Sequence, residues 1–318
     1  MRITVLDAAT FGDDIDLSLF AQLGELRIIN MTTRHEIATN CVGADVIILN
    51  KIKINRTTLP RDTSVKLICV AATGVDNIDL DFCRELGIAV CNVKGYSTDS
   101  VAQVTVAMAL SLVCHLPAYH RFVSSGEYSA TKFPNHLEPY YHEIEGMTWG
   151  IVGYGNIAKR VARVADALGC HVAVYSRTPA PDRENLDIDE LCRRSDILSI
   201  HVPLNDGTRN LISRERIAMM KPSAIVVNVA RGAVTDEQAL ADAIAEGRIG
   251  GLGVDVFSAE PMAADHPFAA VMDRENVCLT PHMAWGAHEA RARCMQEIAD
   301  NIRSFMAGGT RNRADLPQ

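Results

Sequence analysis

Short apolar runs alternate along this chain with longer segments whose apolar residues recur every three or four positions. Five such runs lie in the first hundred residues, at 3–6, 26–29, 44–49, 65–70 and 88–91. Each run is continuous and rich in β-branched residues, which is typical of strands buried on both faces of a parallel sheet. Since helical segments separate the runs, the pattern predicts an α/β domain.

A long helix is predicted at residues 100–123, with Ser97, Thr98 and Asp99 as capping side chains. Its residues are apolar on nearly every side, which indicates burial between domains or subunits. The helix therefore predicts a homodimer built around it. Residues 126–146 have no clear period and are expected to form an irregular surface connection.

A second series of strands and helices is predicted from Thr148 to about Pro281. Strands are expected at 147–153, 169–177, 196–202 and 224–229, and helices at 156–168 and 239–246. Thr235 and Gln238 match a capping box before the second of these helices. A last helix is predicted at about 287–306, followed by a polar tail after Gly308 that is expected to be mobile.

The turn between the first strand and the first helix of the second series is rich in glycine. It reads Gly153-Tyr154-Gly155-Asn156-Ile157-Ala158. Glycines in such a turn let backbone N–H groups approach a diphosphate at a helix N-terminus. Alanine in place of the third glycine is compatible with helix–strand packing. The complete strand–helix–strand unit predicts dinucleotide binding at Gly153, Tyr154, Gly155, Asn156 and Ile157.

Ser176 and Arg177 stand where a dinucleotide fold normally carries an acidic residue for the ribose 2′-hydroxyl. An acidic side chain would repel a 2′-phosphate, whereas a guanidinium forms charge-assisted hydrogen bonds with it. The pair therefore predicts a preference for NADP(H), with NAD(H) also possible. A solvated surface arginine is the alternative interpretation.

Composition, charge and cysteine spacing argue against several classes of function. The chain has 318 residues, enough for two domains, and a formal net charge of −8 without a block of Lys and Arg, which argues against nucleic acid. Its nine cysteines are scattered, with no spacing typical of a zinc site, so no metal is expected and the thiols are expected to be reduced. No apolar run is long enough for a membrane span and no signal-peptide pattern opens the chain. A soluble, cytoplasmic protein is expected.

Three polar residues follow strands of the second series: Arg231, Glu260 and His282. Arginine can clamp a carboxylate, and histidine can give a proton to a carbonyl oxygen while a glutamate orients its ring. With a nicotinamide hydride, these groups suffice to reduce a 2-keto acid. Taken singly, each is more often an ordinary loop or surface residue, and the sequence alone does not bring them together.

Over nearly its whole length the chain resembles the D-isomer-specific 2-hydroxyacid dehydrogenases. The shared motifs are Gly150-Ile-Val-Gly-Tyr-Gly, Asn228-Val-Ala-Arg-Gly, Gly253-Val-Asp-Val-Phe-Ser-Ala-Glu-Pro and Thr280-Pro-His282. The resemblance implies a Rossmann-type doubly wound parallel sheet at 99–286. It also implies a flavodoxin-like parallel-sheet substrate domain formed by 1–98 and 287–318, with the substrate between the two domains.

The resemblance also implies roles for individual residues. It implies that Arg231, Glu260 and His282 are catalytic, with Arg231 and His282 near both substrate and cofactor. It places the nicotinamide carboxamide at Asp255 and a cofactor phosphate at Thr105. Further cofactor contacts are implied at His201, Val202, Pro203, Thr208, Val229 and Ala230. For the substrate it implies the backbone N–H groups of Thr73, Gly74 and Val75, with Lys51 as a candidate second cation or else a surface lysine.

Within the family, residues 49–51, 69–77 and 282–291 resemble the glycerate dehydrogenase/hydroxypyruvate (glyoxylate) reductase branch. The expected reaction is reduction of hydroxypyruvate or glyoxylate to D-glycerate or glycolate. Two alternatives stay open. One is a dehydrogenase for another D-2-hydroxy acid, and the other is a nucleotide-sensing, corepressor-like binding protein on the same fold.

Overall fold

The computed structural model describes residues 1–316, which form two compact units. The first comprises Met1–Ser97 and the residues from Gly286 onward, and the second comprises Thr98–Trp285. The strands are β1 (Arg2–Val5), β2 (Glu25–Ile28), β3 (Val46–Leu49), β4 (Leu67–Val70), β5 (Ala89–Cys91), β6 (Thr148–Val152), β7 (His171–Tyr175), β8 (Glu184–Asn185), β9 (Ile197–Ile200), β10 (Ile225–Asn228), β11 (Gly251–Val254) and β12 (Val277–Leu279). The α-helices are α1 (Ile37–Asn40), α2 (Leu80–Glu85), α3 (Thr98–Val113), α4 (Leu116–Ser124), α5 (Glu127–Ala130), α6 (Asn156–Ala167), α7 (Ile188–Arg194), α8 (Arg214–Ala218), α9 (Glu237–Ala245) and α10 (His288–Met306).

The first unit contains a five-stranded parallel sheet in the order β2-β1-β3-β4-β5. This is the order of flavodoxin-like sheets. The interior strands β3 and β4 are buried at every position, as their unbroken apolar runs predict. The fold class predicted for this region is confirmed.

The prediction of a mobile tail after Gly308 is wrong. Arg313 pairs antiparallel with Cys91, and the N–H of Ala314 donates to the carbonyl of Val90 at 2.8 Å. The Asp315 carboxylate accepts the Val90 N–H at 2.9 Å and is nearly fully buried. The tail therefore covers the free edge of β5, whose unpaired backbone groups offer partners that polar composition does not reveal.

The second unit contains a seven-stranded parallel sheet in the order β12-β11-β10-β9-β6-β7-β8. Counted within this unit from β6, the order is 3-2-1-4-5-6 with one further strand, which is the doubly wound dinucleotide fold. The change of direction falls between β6 and β9. The predicted Rossmann-type class is confirmed.

The long helix predicted at 100–123 is two helices. α3 and α4 meet at a bend of 63° where His115 adopts a left-handed φ of 51°. Apolar periodicity continues across the break, but Pro117 in the first turn of α4 marks it, because a proline is tolerated there and not in a helix interior. The apolar character of α3 has a source within the unit, since α3 packs on α6, β10 and β11. Within residues 1–316 no single helix is long and apolar enough to cross a membrane, and α3 and α4 pass that test only as a bent pair.

Two smaller predictions also need correction. Asp236, not Thr235, caps α9, because its carboxylate accepts the Ala239 N–H at 2.9 Å while the Thr235 hydroxyl donates to Gly232. The connection at 126–146 is irregular and mostly exposed but contains the short helix α5.

Candidate active site

Three neighbouring strands bring the predicted catalytic residues to one edge of the second sheet. Asn228 at the end of β10 is paired with Val254 of β11, which is paired with Leu279 of β12. Parallel strands share their carboxyl-terminal edge, so the segments that follow these three residues emerge side by side. Arg231, Glu260 and His282 all lie in those segments.

His282 and Glu260 are in direct contact. His282 Nδ1 lies 2.6 Å from Glu260 Oε2, and the other Glu260 oxygen accepts the Phe257 N–H at 3.2 Å. The two side chains are partly exposed, at 22% and 31%. His282 also has a left-handed φ of 53°, a backbone conformation that is costly for a non-glycine residue and is concentrated at functional sites.

Asp255 holds the loop that carries His282. It follows β11 directly and is almost fully buried. Its carboxylate accepts hydrogen bonds from the Thr280 hydroxyl at 2.6 Å and from the N–H groups of Met283 at 2.8 Å and Ala284 at 3.0 Å. Because these donors lie on both sides of His282, Asp255 determines where that loop runs. Its predicted contact with the nicotinamide carboxamide stays a prediction.

Arg231 lies in a turn that Asn228 shapes. The Asn228 side chain accepts the Ala230 N–H at 3.0 Å and donates to the Arg231 carbonyl at 3.0 Å. The Arg231 guanidinium donates to the Ala230 carbonyl at 2.8 Å. Val229 and Ala230, predicted as cofactor contacts, are therefore part of a turn with fixed geometry at the same sheet edge.

The glycine turn after β6 has the features that a diphosphate requires. Gly153 has a φ of 91°, and a Cβ there would lie 2.7 Å from Val202 Cγ1, so only glycine fits. Gly155, the N-cap of α6, offers no side-chain acceptor to the helix, and a Cβ there would point into open space. The N-terminus of α6 is thus approachable by an anion. The residues fit a dinucleotide.

His201 gives a second observation that fits a bound group beside the glycine turn. It follows β9, and the His201 carbonyl carbon would lie 3.1 Å from a Cβ on Gly153. Among residues 1–316 neither buried ring nitrogen of His201 has a hydrogen-bond partner. Burial lowers the pKa of His201 to about 3. A buried neutral imidazole without partners is costly, and a bound group would satisfy it.

Ser176 and Arg177 follow β7, next to the glycine turn, whose Gly153 N–H donates to the Tyr175 carbonyl at 2.7 Å. Arg177 is exposed, and no carboxylate within the described part of the chain pairs with it. The Ser176 hydroxyl donates to the Thr178 carbonyl at 2.5 Å. Tyr154 of the turn is held by Arg183, whose Nε donates to the Tyr154 hydroxyl at 2.8 Å.

Two further predicted cofactor contacts have protein partners. Thr105 is fully buried in α3, where its hydroxyl donates to the Val101 carbonyl at 2.8 Å. The Thr208 hydroxyl donates to the Pro203 carbonyl at 2.6 Å and accepts the Asn205 N–H at 2.8 Å. Thr208 therefore shapes the loop after His201 and Val202, whatever ligand that loop holds.

In the first unit, the loop after β4 presents backbone donors. Within residues 1–316 the N–H groups of Thr73, Gly74 and Val75 have no assigned acceptor. The loop is held from behind, since the Asn92 amide donates to the Thr73 carbonyl at 2.7 Å and the Thr73 hydroxyl donates to the Val93 carbonyl at 2.8 Å. A row of oriented N–H groups is suited to binding a carboxylate.

Lys51 lies on a neighbouring loop of the same unit. The Asn77 amide donates to the carbonyls of Asn50 and Ile52, which joins the two loops. Asp7 accepts the Lys51 N–H at 2.7 Å, and burial raises the pKa of Asp7 although this bond opposes the shift. The position of Lys51 is therefore fixed by its backbone.

Residues 106–284 match the sequence profile of the D-isomer specific 2-hydroxyacid dehydrogenase NAD-binding domain. The chain belongs to this family. The predicted resemblance is confirmed.

Individual dehydrogenases of known name are similar over most of the chain. Glycerate dehydrogenase of Methylorubrum extorquens is 35% identical over 280 residues, covering 88% of each chain. Hydroxypyruvate reductase of Blautia hydrogenotrophica is 31% identical, covering 98% of this chain and 99% of its own. The crystal structure of D-lactate dehydrogenase from Aquifex aeolicus with NAD and lactic acid superposes with a TM-score of 0.87 at 28% identity, covering 100% of both chains.

Sequence reasoning missed several residues that position candidate site residues within each unit. Asn92 had no motif to mark it, and the Glu237–His266 pair joins positions 29 residues apart. Asp7 follows the first strand and could have been found by the same strand-end argument that found Arg231.

Among residues 1–316 there is no group of three or more His, Cys, Asp or Glu side chains arranged to hold a metal.

Proposed function

We propose that this dehydrogenase reduces a small 2-keto acid, hydroxypyruvate or glyoxylate, to D-glycerate or glycolate and prefers NADPH to NADH. The observation that carries the proposal is the 2.6 Å contact between His282 and Glu260 at the strand edge that also bears Arg231. The names of the similar glycerate dehydrogenase and hydroxypyruvate reductase support the substrate class.

His282 is the proposed general acid. Because Nδ1 contacts Glu260, Nε2 is the nitrogen that would give its proton to the keto oxygen. The Glu260 carboxylate stabilises the imidazolium before transfer and fixes the ring. The nicotinamide cofactor supplies the hydride when bound. In the reverse direction the neutral ring would take the hydroxyl proton.

Arg231 is the proposed partner of the substrate carboxylate. A guanidinium binds a carboxylate through two parallel hydrogen bonds and thereby orients the adjacent carbonyl. For the first unit, we propose that the N–H groups of Thr73, Gly74 and Val75 bind a carboxylate, with Lys51 as an added positive charge. The absence of acceptors for those N–H groups within the described residues supports this role.

The proposed NADPH preference rests on Ser176 and Arg177. Arg177 is exposed beside the glycine turn, and its charge favours a 2′-phosphate. Dinucleotide folds that select the unphosphorylated cofactor place an acidic side chain there, and Ser176 is neutral. The cofactor would also give the buried ring of His201 a partner.

The test is a panel of initial rates with hydroxypyruvate, glyoxylate and pyruvate, each with NADPH and with NADH. The proposal expects turnover with at least one of the first two acids and a higher kcat/KM with NADPH. Turnover confined to another 2-keto acid would overturn the substrate assignment. No turnover with any acid would overturn the proposed enzymatic function and favour a binding protein. Equal kcat/KM with both cofactors would overturn the cofactor preference alone.

We also propose a homodimer. Its proposed interface is not on α3 but on the segment that follows α3. Apolar side chains are exposed there at Leu116, Val123, Phe133, Leu137 and Tyr140. Several large apolar side chains exposed within one segment are what an interface would cover. Sedimentation equilibrium should give twice the chain mass, and Phe133→Ser combined with Tyr140→Ser should shift the protein toward monomer. A wild-type monomer would contradict the proposal.

A further inference from the structure

The second unit contains another carboxylate–histidine pair, which the proposed reaction does not use. Glu237 Oε2 lies 3.1 Å from His266 Nε2. The two side chains are 8% and 6% exposed. Buried ionisable groups are rare unless they are paired, and a pair this well enclosed calls for a reason.

The protein fixes the tautomer of His266. The Phe268 N–H donates to His266 Nδ1 at 3.2 Å, so Nδ1 is an acceptor and the ring proton lies on Nε2. Nε2–H then donates to Glu237. Phe257 and Phe268 pack against the ring, with centroid distances of 5.7 Å and 4.9 Å. Both nitrogens of His266 are therefore used within the protein, and the ring is fixed.

The second oxygen of Glu237 reaches the loop that carries Glu260. The Ser258 N–H donates to Glu237 Oε1 at 2.9 Å, and the preceding amide, that of Phe257, donates to Glu260 Oε1 at 3.2 Å. Two consecutive peptide groups are thus bound to two different carboxylates. One of these carboxylates is buried and the other contacts His282.

The same loop packs directly against Gly232, the residue that follows Arg231. A Cβ on Gly232 would lie 2.2 Å from the Phe257 carbonyl carbon and 2.7 Å from Glu237 Oε1. Only glycine allows the chain to pack this closely. The loop therefore rests on Gly232 and is tied by Glu237, so its position is set from two sides.

We propose that Glu237 and His266 are positioning residues that hold the 257–260 loop and thereby the Glu260 carboxylate against His282. The pair touches neither of the residues proposed to react, and it acts through the Ser258 amide. This inference rests on the proposed function of the Glu260–His282 contact. It predicts that disturbing the buried pair slows the reaction while cofactor binding persists.

The principal variant is Glu237→Gln. A glutamine must accept from both the Ser258 N–H and the His266 Nε2–H, but it has one acceptor oxygen, so one of the two bonds is lost. We expect kcat to fall about 10- to 100-fold, as small displacements of catalytic groups do, with the Kd for NADPH unchanged. The matched control is Glu246→Gln, the same substitution at the exposed end of α9. It should leave both quantities unchanged.

Two substitutions of His266 separate its two nitrogens. Asparagine can keep the acceptor for the Phe268 N–H but cannot reach Glu237, whereas glutamine can keep the donor to Glu237. His266→Asn should therefore reproduce the loss of kcat, and His266→Gln should retain most of the activity. The opposite order would show that His266 acts only as a cap for its own turn and would overturn its positioning role.

A double-substitution test distinguishes positioning from general destabilisation. If Glu237 acts through Glu260, adding Glu237→Gln to Glu260→Gln should lower kcat little further. A full repeat of the loss would overturn the proposal. Hydrogen exchange at residues 256–261 provides a readout independent of activity: protection should fall in Glu237→Gln and not in Glu246→Gln. Unchanged protection in Glu237→Gln would contradict the positioning role, whatever the activity of the wild-type chain. A wild-type chain without reductase activity would count against the proposed function alone.

Discussion

Two carboxylate–histidine pairs of the second unit, Glu260–His282 and Glu237–His266, differ in burial and in how each ring is used. His282 contacts Glu260 through Nδ1 and keeps 22% of its side chain exposed. His266 contacts Glu237 through Nε2, gives Nδ1 to the Phe268 N–H and is 6% exposed. The difference teaches that burial and enclosure separate the two pairs: the ring of His266 is closed in on both of its nitrogens, while the His282 pair stays partly exposed, as the proposed proton transfer to a ligand requires.

The largest expected effect is a loss of kcat, and it should follow substitution in the Glu260–His282 pair. His282→Ala removes the proposed proton donor and should lower kcat by about 10²- to 10⁴-fold, the usual range for general acid–base catalysis. Binding of NADPH should persist, because the glycine turn is untouched. Initial rates and a fluorescence titration check both. Loss of NADPH binding in this variant would show that His282 has a different role.

The free energy of unfolding should change in the opposite order: the substitution in the buried pair should lower it more than the substitution in the partly exposed pair. Glu237→Gln removes one of the hydrogen bonds made by a buried side chain and should lower the free energy of unfolding by about 2 kcal/mol, since it leaves a buried group unsatisfied. Glu260→Gln, at 31% exposure, should cost about 1 kcal/mol or less. Urea unfolding of the two variants beside the wild-type chain makes the comparison. Equal losses would mean that burial does not distinguish the pairs.

His201 is a third case, with neither ring nitrogen partnered within the described residues. Burial lowers the pKa of His201 to about 3, so between pH 6.5 and 3 the unfolded chain binds a proton that the folded chain does not. Stability should therefore fall as pH falls through this window, by about 2 kcal/mol from this residue at pH 5. Urea unfolding at pH 7 and pH 5 should show a smaller pH effect in His201→Gln, and no change in the pH effect in the exposed control His120→Gln. An identical pH effect in wild type and His201→Gln would contradict this account.

The sheets and the strand-end residues were predictable because they depend on local patterns. An unbroken apolar run such as that of β3 indicates a buried parallel strand, and parallel strands end at a common edge. Arg231 and His282 could therefore be placed at the same edge of a sheet. The roles proposed for them come from the family resemblance and stay predictions.

What the sequence could not predict depends on contacts between distant residues. Glu237 and His266 are joined by the way α9 packs, not by a spacing rule. The tail at 310–315 is ordered because β5 leaves an unpaired edge, a property of the sheet and not of the tail. The break at His115, by contrast, could have been predicted, because Pro117 is tolerated in the first turn of a helix and not in its interior.

The smallest expected effect concerns cofactor choice, which neither histidine pair should influence. Arg177→Ala should lower kcat/KM for NADPH by about tenfold and leave that for NADH unchanged, because one charge-assisted hydrogen-bonding group is lost. Arg193→Ala removes an exposed arginine that pairs with Glu190 on α7 and is the control. An equal loss with both cofactors would show that Arg177 stabilises the unit without selecting the 2′-phosphate.

The most direct test of the central claim is the rate of NADPH oxidation by the wild-type chain with hydroxypyruvate and with glyoxylate. The account predicts steady turnover with at least one of them and a D-configured product from hydroxypyruvate. No NADPH oxidation with either acid, by folded protein that binds the cofactor, would contradict it.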